Sequence, residues 1–237
     1  MTNRRTRQRL GPPAGAPSPS RQDDPGALLR ARRSALEMHI RQFARARVLI
    51  IGDLILDHFV WGQVSRISPE APVPVVHVDS ETTSLGGAAN VYNNVISLGG
   101  EADICGVVGA DESGRLLLKA FGAGRAGRGG VVIAQDRPTT RKTRVVAHHQ
   151  QVVRFDIERR TDLSASIQRR LLRYVESRLR DIHCLVVSDY AKGVVTVSLM
   201  TELIRLAALR KLPILVDPRW RVTLLVTARH PAELERS

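Results

Sequence analysis

The chain has 237 residues, 43% hydrophobic and 25% charged, enough to bury one or two globular cores. It has no apolar run near the roughly 18 residues that a membrane-spanning helix needs, and no apolar segment follows the basic N-terminus as a secretory signal requires. The net charge of +13 is uneven: residues 1–47 hold eleven arginines against three acidic residues, so the excess sits mainly there and argues against a nucleic-acid surface elsewhere.

Residues 1–26 are rich in Pro, Gly, Ser and Arg without apolar periodicity, which predicts a disordered basic tail. A helix follows over 27–46, with Leu28, Leu29, Leu36, Ile40 and Phe43 loosely on one face. From residue 47 to 237 the pattern is that of one domain. An apolar strand at 48–51 ends abruptly in Gly52-Asp53, as a buried parallel strand does when it delivers a carboxylate to the carboxyl edge of a sheet. Pro69, Pro72 and Pro74 stiffen the approach to an extended segment at 73–78. The string Ser84-Leu85-Gly86-Gly87-Ala88-Ala89-Asn90 then opens a helix over 88–98.

Strands at 102–108 and 130–134 flank a helix at 112–121. Residues 122–127, Gly-Ala-Gly-Arg-Ala-Gly, match a dinucleotide fingerprint, but they follow a helix and open none, so they predict a loop. A second extended segment covers 143–155. Helices at 164–180 and 197–209 alternate with strands at 184–187 and 214–216. The alternation predicts an α/β fold: an open, mostly parallel sheet with helices on both faces. The two extended segments, about 60–80 and 141–156, predict a small projecting sheet.

Several residues point to ligand chemistry. Gly86 and Gly87 let backbone approach a ligand closely, at a helix start whose free N–H groups favour anions and hydroxyls. Asp57 and Asn90 supply the acceptor and the donor that a polyhydroxy ligand needs. Asp53 either joins them or caps the turn. Asp189 and Lys192 follow a strand end, where open α/β sheets bind ligands, and Lys192 suits a phosphate. Arg154 and Asp156 share one face of an extended run, with Gln151 near-alternate to them. His148-His149 lacks further spaced ligands, so no metal site is expected. Cys105 and Cys184 sit in apolar runs and read as buried free thiols.

These strings together resemble a known family. The Gly-Gly, small, any, Asn pattern resembles the first signature of the ribokinase-like sugar kinases of the phosphofructokinase-B type. The strings Gly52 to Asp57, Ser65-Arg66-Ile67-Ser68-Pro69-Glu70-Ala71-Pro72, Leu85 to Val91, Pro138 to Arg144, Gln150 to Asp156 and Ser188 to Gly193 narrow it to the bacterial D-glycero-β-D-manno-heptose-7-phosphate kinases. The resemblance spans about 48–217. It implies ATP-dependent phosphorylation of the anomeric hydroxyl of heptose 7-phosphate to the 1,7-bisphosphate, a precursor of the ADP-heptose of lipopolysaccharide, in the cytoplasm.

It also implies that the projecting sheet is a lid over the sugar. Asp57, Asn90, Gly86, Gly87 and Asp53 would then bind the substrate, with Gln151 and Arg154 on the sugar side of the lid and Arg66 and Lys142 as its phosphate-holding cations. Lys192 and Asp189 would meet the transferred phosphate, and two copies would pair through the lid. The family places its catalytic base in a later Gly-Ala-Gly-Asp motif, and no such string follows Asp217. The segment 223–235 resembles the family's nucleotide and magnesium region only distantly, with Glu233 as the one matching acid. The expectation is a kinase domain truncated at its C-terminus, binding ATP and Mg poorly. The alternative is a non-catalytic sugar-phosphate-binding or regulatory remnant.

Overall fold

The computed structural model describes residues 25–121 and 128–217. The chain divides between Gln42 and Phe43 into two units. In the first, α1 (Pro25–Gln42) starts at a proline, which lacks the N–H that a first helical turn leaves unused. The predicted helix over 27–46 is therefore shorter at its C-terminus, where Phe43–Arg45 form a 3-10 turn in the second unit. Of the tail predicted over 1–26, residues 25 and 26 belong to α1; residues 1–24, the loop over 122–127 and everything after Asp217 lie outside the described residues.

The second unit is built on a five-stranded sheet, all of whose pairs are parallel. Its strands are β1 (Arg47–Gly52), β4 (Glu101–Gly109), β5 (Gly130–Ala134), β8 (Cys184–Ser188) and β9 (Ile214–Asp217), in the order β5-β4-β1-β8-β9. Continuous apolar runs form these strands because both faces of the sheet are covered. Leu49, Ile51, Cys105, Val107, Leu185 and Val187 pack with Leu171 and Val175 of α4 (Ala165–Arg178) and Leu199 and Leu203 of α5 (Val197–Arg210). The alternate residues Val48, Ile50, Ile104 and Val108 pack with Ala88 and Tyr92 of α2 (Ala88–Ser97) and Leu117 of α3 (Glu112–Ala120). Each face thus receives every second residue of β1 and β4. Cys105 is buried there as predicted, whereas Cys184, at the strand start, is only half-buried.

A four-stranded lid projects from this sheet, in the order β3-β2-β6-β7. Its strands are β2 (Leu54–Ile67), β3 (Pro74–Gly87), β6 (Thr140–Ala147) and β7 (Gln150–Ile157). Pairing is antiparallel except between β2 and β6. The lid is larger than predicted. Only Asp53 separates β1 from β2, so Asp57 lies inside a lid strand and not at the carboxyl edge of the main sheet. The extended run predicted over 143–155 is two strands: His148 and His149 take left-handed φ values of 50° and 65°, the two-residue turn that lets a hairpin close.

Candidate functional site

The lid, the start of α2 and the loop after β8 enclose a cleft of about 320 Å³. Five predicted ligand residues line it: Asp57, Gly86, Gly87, Asn90 and Lys142. Arg144 and Tyr190 line it too, although sequence reading did not single them out. Both were within view: Arg144 is two residues along the same strand from Lys142, hence on the same face, and Tyr190 is next to Asp189. Two other clefts of similar size carry less. One, at Asp103 and Arg178, has these charges paired at 2.6 Å; the other lies around Leu56, Thr83 and Lys119.

Strand register explains the constellation. Asp57 of β2 stands opposite Ser84 of β3 and beside Lys142 of β6, which stands opposite Asp156 of β7. One step outward, Phe59, Arg144 and Arg154 form the next row on the same face. Arg144 Nη1 donates to Asp57 Oδ1 at 2.6 Å, and its guanidinium lies over the Phe59 ring at 5.2 Å. Phe59 stacks in turn on Trp61 at 5.7 Å, and Trp61 Nε1 donates to Thr82 Oγ1 at 2.9 Å. Gly86 is required by this geometry: a Cβ there would lie 2.3 Å from Asp57 Oδ2. Gly87, at φ 59°, turns β3 into α2, and Asn90 is exposed in the first turn of that helix.

The lysines are coupled. Lys192 is 7% exposed and its Nζ lies 2.5 Å from Glu158 Oε2 at the foot of the lid. Burial raises the Glu158 carboxyl, but hydrogen bonds from Lys192 and Arg160 outweigh it and hold the group below its ordinary value. Burial lowers the Lys142 ammonium, and the neighbouring charges of Lys192 and Arg154 lower it further, against the pull of Asp156 and Asp57. A half-buried ammonium among cations is stabilised by an arriving anion.

Other predicted residues have different places. Asp53 is 1% exposed, and its carboxylate accepts backbone N–H groups from Tyr190 (2.8 Å), Lys192 (3.1 Å) and Val194 (3.2 Å). It therefore organises the loop after β8 and does not line the cleft. Burial pushes its carboxyl up, opposed by those three N–H groups and reinforced by the charge of Asp189. Asp189 is buried within that loop and accepts from the Ala191 N–H at 2.8 Å. Arg66 lies nine residues beyond Asp57, about 30 Å along an extended strand, opposite Val75, so it is remote from the cleft. Arg154 and Asp156 do share a face, paired at 3.1 Å, while Gln151 is exposed near the hairpin turn, opposite Val146 after a register shift. Neither Gln151 nor Arg154 lines the cleft itself.

Comparison with known proteins agrees with this architecture. The family model of the pfkB family carbohydrate kinases matches residues 45–233. The bifunctional protein HldE of Pelobacter propionicus is 42% identical over 208 residues, covering 85% of this chain and 43% of that protein. The bifunctional protein HldE of Geobacter sulfurreducens is 45% identical over 171 residues, covering 72% of this chain and 35% of that protein. The chain thus spans less than half the length of these relatives. Among solved structures, a carbohydrate kinase from Agrobacterium tumefaciens superposes with a TM-score of 0.55 at 19% identity, over 72% of this chain and 53% of that one. Arabidopsis thaliana ribokinase complexed with ribose and ATP gives a TM-score of 0.53 at 14% identity, over 73% and 53%. These distant structures share the fold, and the match of the family model over 45–233 establishes that the chain belongs to the pfkB family of carbohydrate kinases.

Proposed function

We propose that this chain is the sugar-binding part of an ATP-dependent heptose-7-phosphate kinase, acting on the anomeric hydroxyl to give the 1,7-bisphosphate. The supporting observation is the cleft itself. Distant strings that resemble the heptose-7-phosphate kinases, around Asp57, Gly86 to Asn90, Lys142 and Tyr190, converge on one 320 Å³ space. Asp57 accepts hydrogen bonds from sugar hydroxyls, the Asn90 amide donates or accepts, and the absence of a Gly86 side chain keeps room for the Asp57 carboxylate. Lys142 offers positive charge at the cleft wall.

ATP with magnesium, when bound, supplies the phosphoryl group. Lys142 and Arg144 are the cations that line the cleft among the described residues and fit an anionic ligand, whereas Lys192 is buried against Glu158 and does not line it. The residues that the resemblance implies for nucleotide and magnesium fall after Asp217, outside the described residues.

Calorimetry tests this reading. Heptose 7-phosphate binds the chain, ATP binds weakly, and Asp57→Ala removes the sugar signal, since a hydrogen bond to a charged group contributes about 1.5–3 kcal/mol. Tight ATP binding with no sugar-phosphate signal would reverse the reading.

A further inference from the structure

The inner face of the lid carries a feature that the cleft residues leave unused. Arg144 and Arg154 are directly opposite each other on the antiparallel β6–β7 pair. Like charges in that position destabilise a sheet. Each is held by a carboxylate: Arg144 by Asp57 at 2.6 Å, and Arg154 by Asp156 through Nε at 3.1 Å and Nη2 at 3.2 Å. The Phe59 ring supports the Arg144 guanidinium at 5.2 Å, a contact that occupies none of its N–H groups. Lys142, one row inward, adds a third positive charge to the same face.

Building on the sugar-phosphate reading above, we propose that Arg144, which lines the cleft, and Arg154, opposite it on the neighbouring strand just beyond the cleft wall, form an anion subsite that grips the phosphate monoester at the far end of the sugar. Asp57 and Asn90 hold the hydroxyl end. β7 lies two strand spacings, about 10 Å, from β2, a span comparable with a seven-carbon sugar bearing a terminal phosphate. An anion between the opposed arginines replaces their repulsion by charge-assisted contacts, for which the planar guanidinium fork is suited. The same exchange frees Asp57 Oδ1, now occupied by Arg144, to accept from a ligand hydroxyl. Arg66, the cation that sequence reading selected, is too far along β2 to take part.

Trp61 makes the subsite observable, because its ring stacks on Phe59, the shelf of Arg144. The chain has two tryptophans, so a Trp220→Phe background isolates the Trp61 emission. That protein is titrated with inorganic phosphate, with heptose 7-phosphate and with unphosphorylated heptose. Phosphate alone shifts the emission, and the phosphorylated sugar binds at least about tenfold more tightly than the free sugar. Arg154→Met abolishes the phosphate response and erases the preference while free-sugar affinity stays the same; Arg154→Lys gives an intermediate preference, which shows that the lid is still folded. Arg66→Met changes nothing.

A preference that survives Arg154→Met, or one lost in Arg66→Met, would overturn the assignment, as would the absence of any phosphate response. If phosphate shifts Trp61 through Arg154 but neither sugar binds, the anion subsite stands and the heptose reading falls.

Discussion

At the scale of single residues, two glycines separate binding from folding. Gly86→Ala places a methyl against a carboxylate oxygen that can rotate away, but rotation breaks the Asp57–Arg144 pair. It also turns the Asp57 carboxylate out of the position from which it accepts ligand hydroxyls, so the expected outcome is at least about a tenfold loss of sugar-phosphate affinity with little change in melting temperature, measured by calorimetry and thermal unfolding. Gly193→Ala does the reverse. Its φ is 90° and the added Cβ would sit 2.1 Å from the Thr161 carbonyl oxygen, which is backbone and cannot yield cheaply. This variant loses about 2 kcal/mol or more of stability. Asp53→Ala strands three buried N–H groups and costs about 3 kcal/mol or more, at roughly 1–3 kcal/mol per orphaned donor. Its protonation has a definite sign. Because folding raises the Asp53 carboxyl above its ordinary 3.8, the folded chain holds that proton to higher pH than the unfolded chain. The stability this group contributes is full below 3.8 and declines as pH rises through the folded value. Urea unfolding of Asp53→Asn beside the parent chain checks it: the advantage of the parent shrinks as pH increases over that window.

At the scale of elements, the loop between β4 and α3 is tied to the loop before β6 by one carboxylate. Asp111 caps α3 by accepting from the Gly114 N–H at 2.8 Å, and it also accepts from the Thr139 N–H at 2.8 Å and hydroxyl at 2.7 Å. Asp111→Ala therefore costs about 2 kcal/mol, more than an ordinary cap. Its pH sign is opposite to that of Asp53. Burial raises its carboxyl, but the Thr139 and Gly114 hydrogen bonds and the charge of Arg141 prevail and hold it below 3.8. Its stabilisation is present above 3.8 and is lost as pH falls through the folded value. The hairpin between β6 and β7 gives a third test. His149 has φ 65°, so His149→Val is less stable than His149→Gly by about 1–2 kcal/mol. This turn was missed in the sequence because two histidines do not advertise left-handed backbone as Asn-Gly does. The strands β2 and β3, predicted only in part over about 60–80, run longer for another reason. Half-exposed lid strands mix polar and apolar residues, and their pairing partners, such as β6 for β2, lie some eighty residues away.

At the scale of the whole molecule, the lid has an outer face as well. Val153, Phe155 and Ile157 alternate along β7 with Arg154 and Asp156 and are 40–49% exposed. A contiguous apolar stripe on an edge strand favours self-association. We expect the chain to sediment as a dimer and Phe155→Asp to sediment as a monomer, with the inner-face cleft unaffected; a parent chain that sediments as a monomer counts against pairing through the lid.

The amino-acid sequence by itself determined the α/β core and the glycine-rich entry to α2. Strands buried on both faces must be continuously apolar, and a chain that turns from strand to helix against a ligand needs glycine, so both are written locally. It also singled out Asp57, Asn90 and Lys142, which the fold brings to one cleft. Tertiary structure alone decided which charged residues meet. Arg144 faces Asp57 because β6 runs beside β2 in one particular register, and Arg66 leaves the site because β2 is one long strand. Asp53 turns inward because three N–H groups of a loop more than 130 residues away need an acceptor. Register and loop closure join distant segments, and that information exists only once the chain has folded.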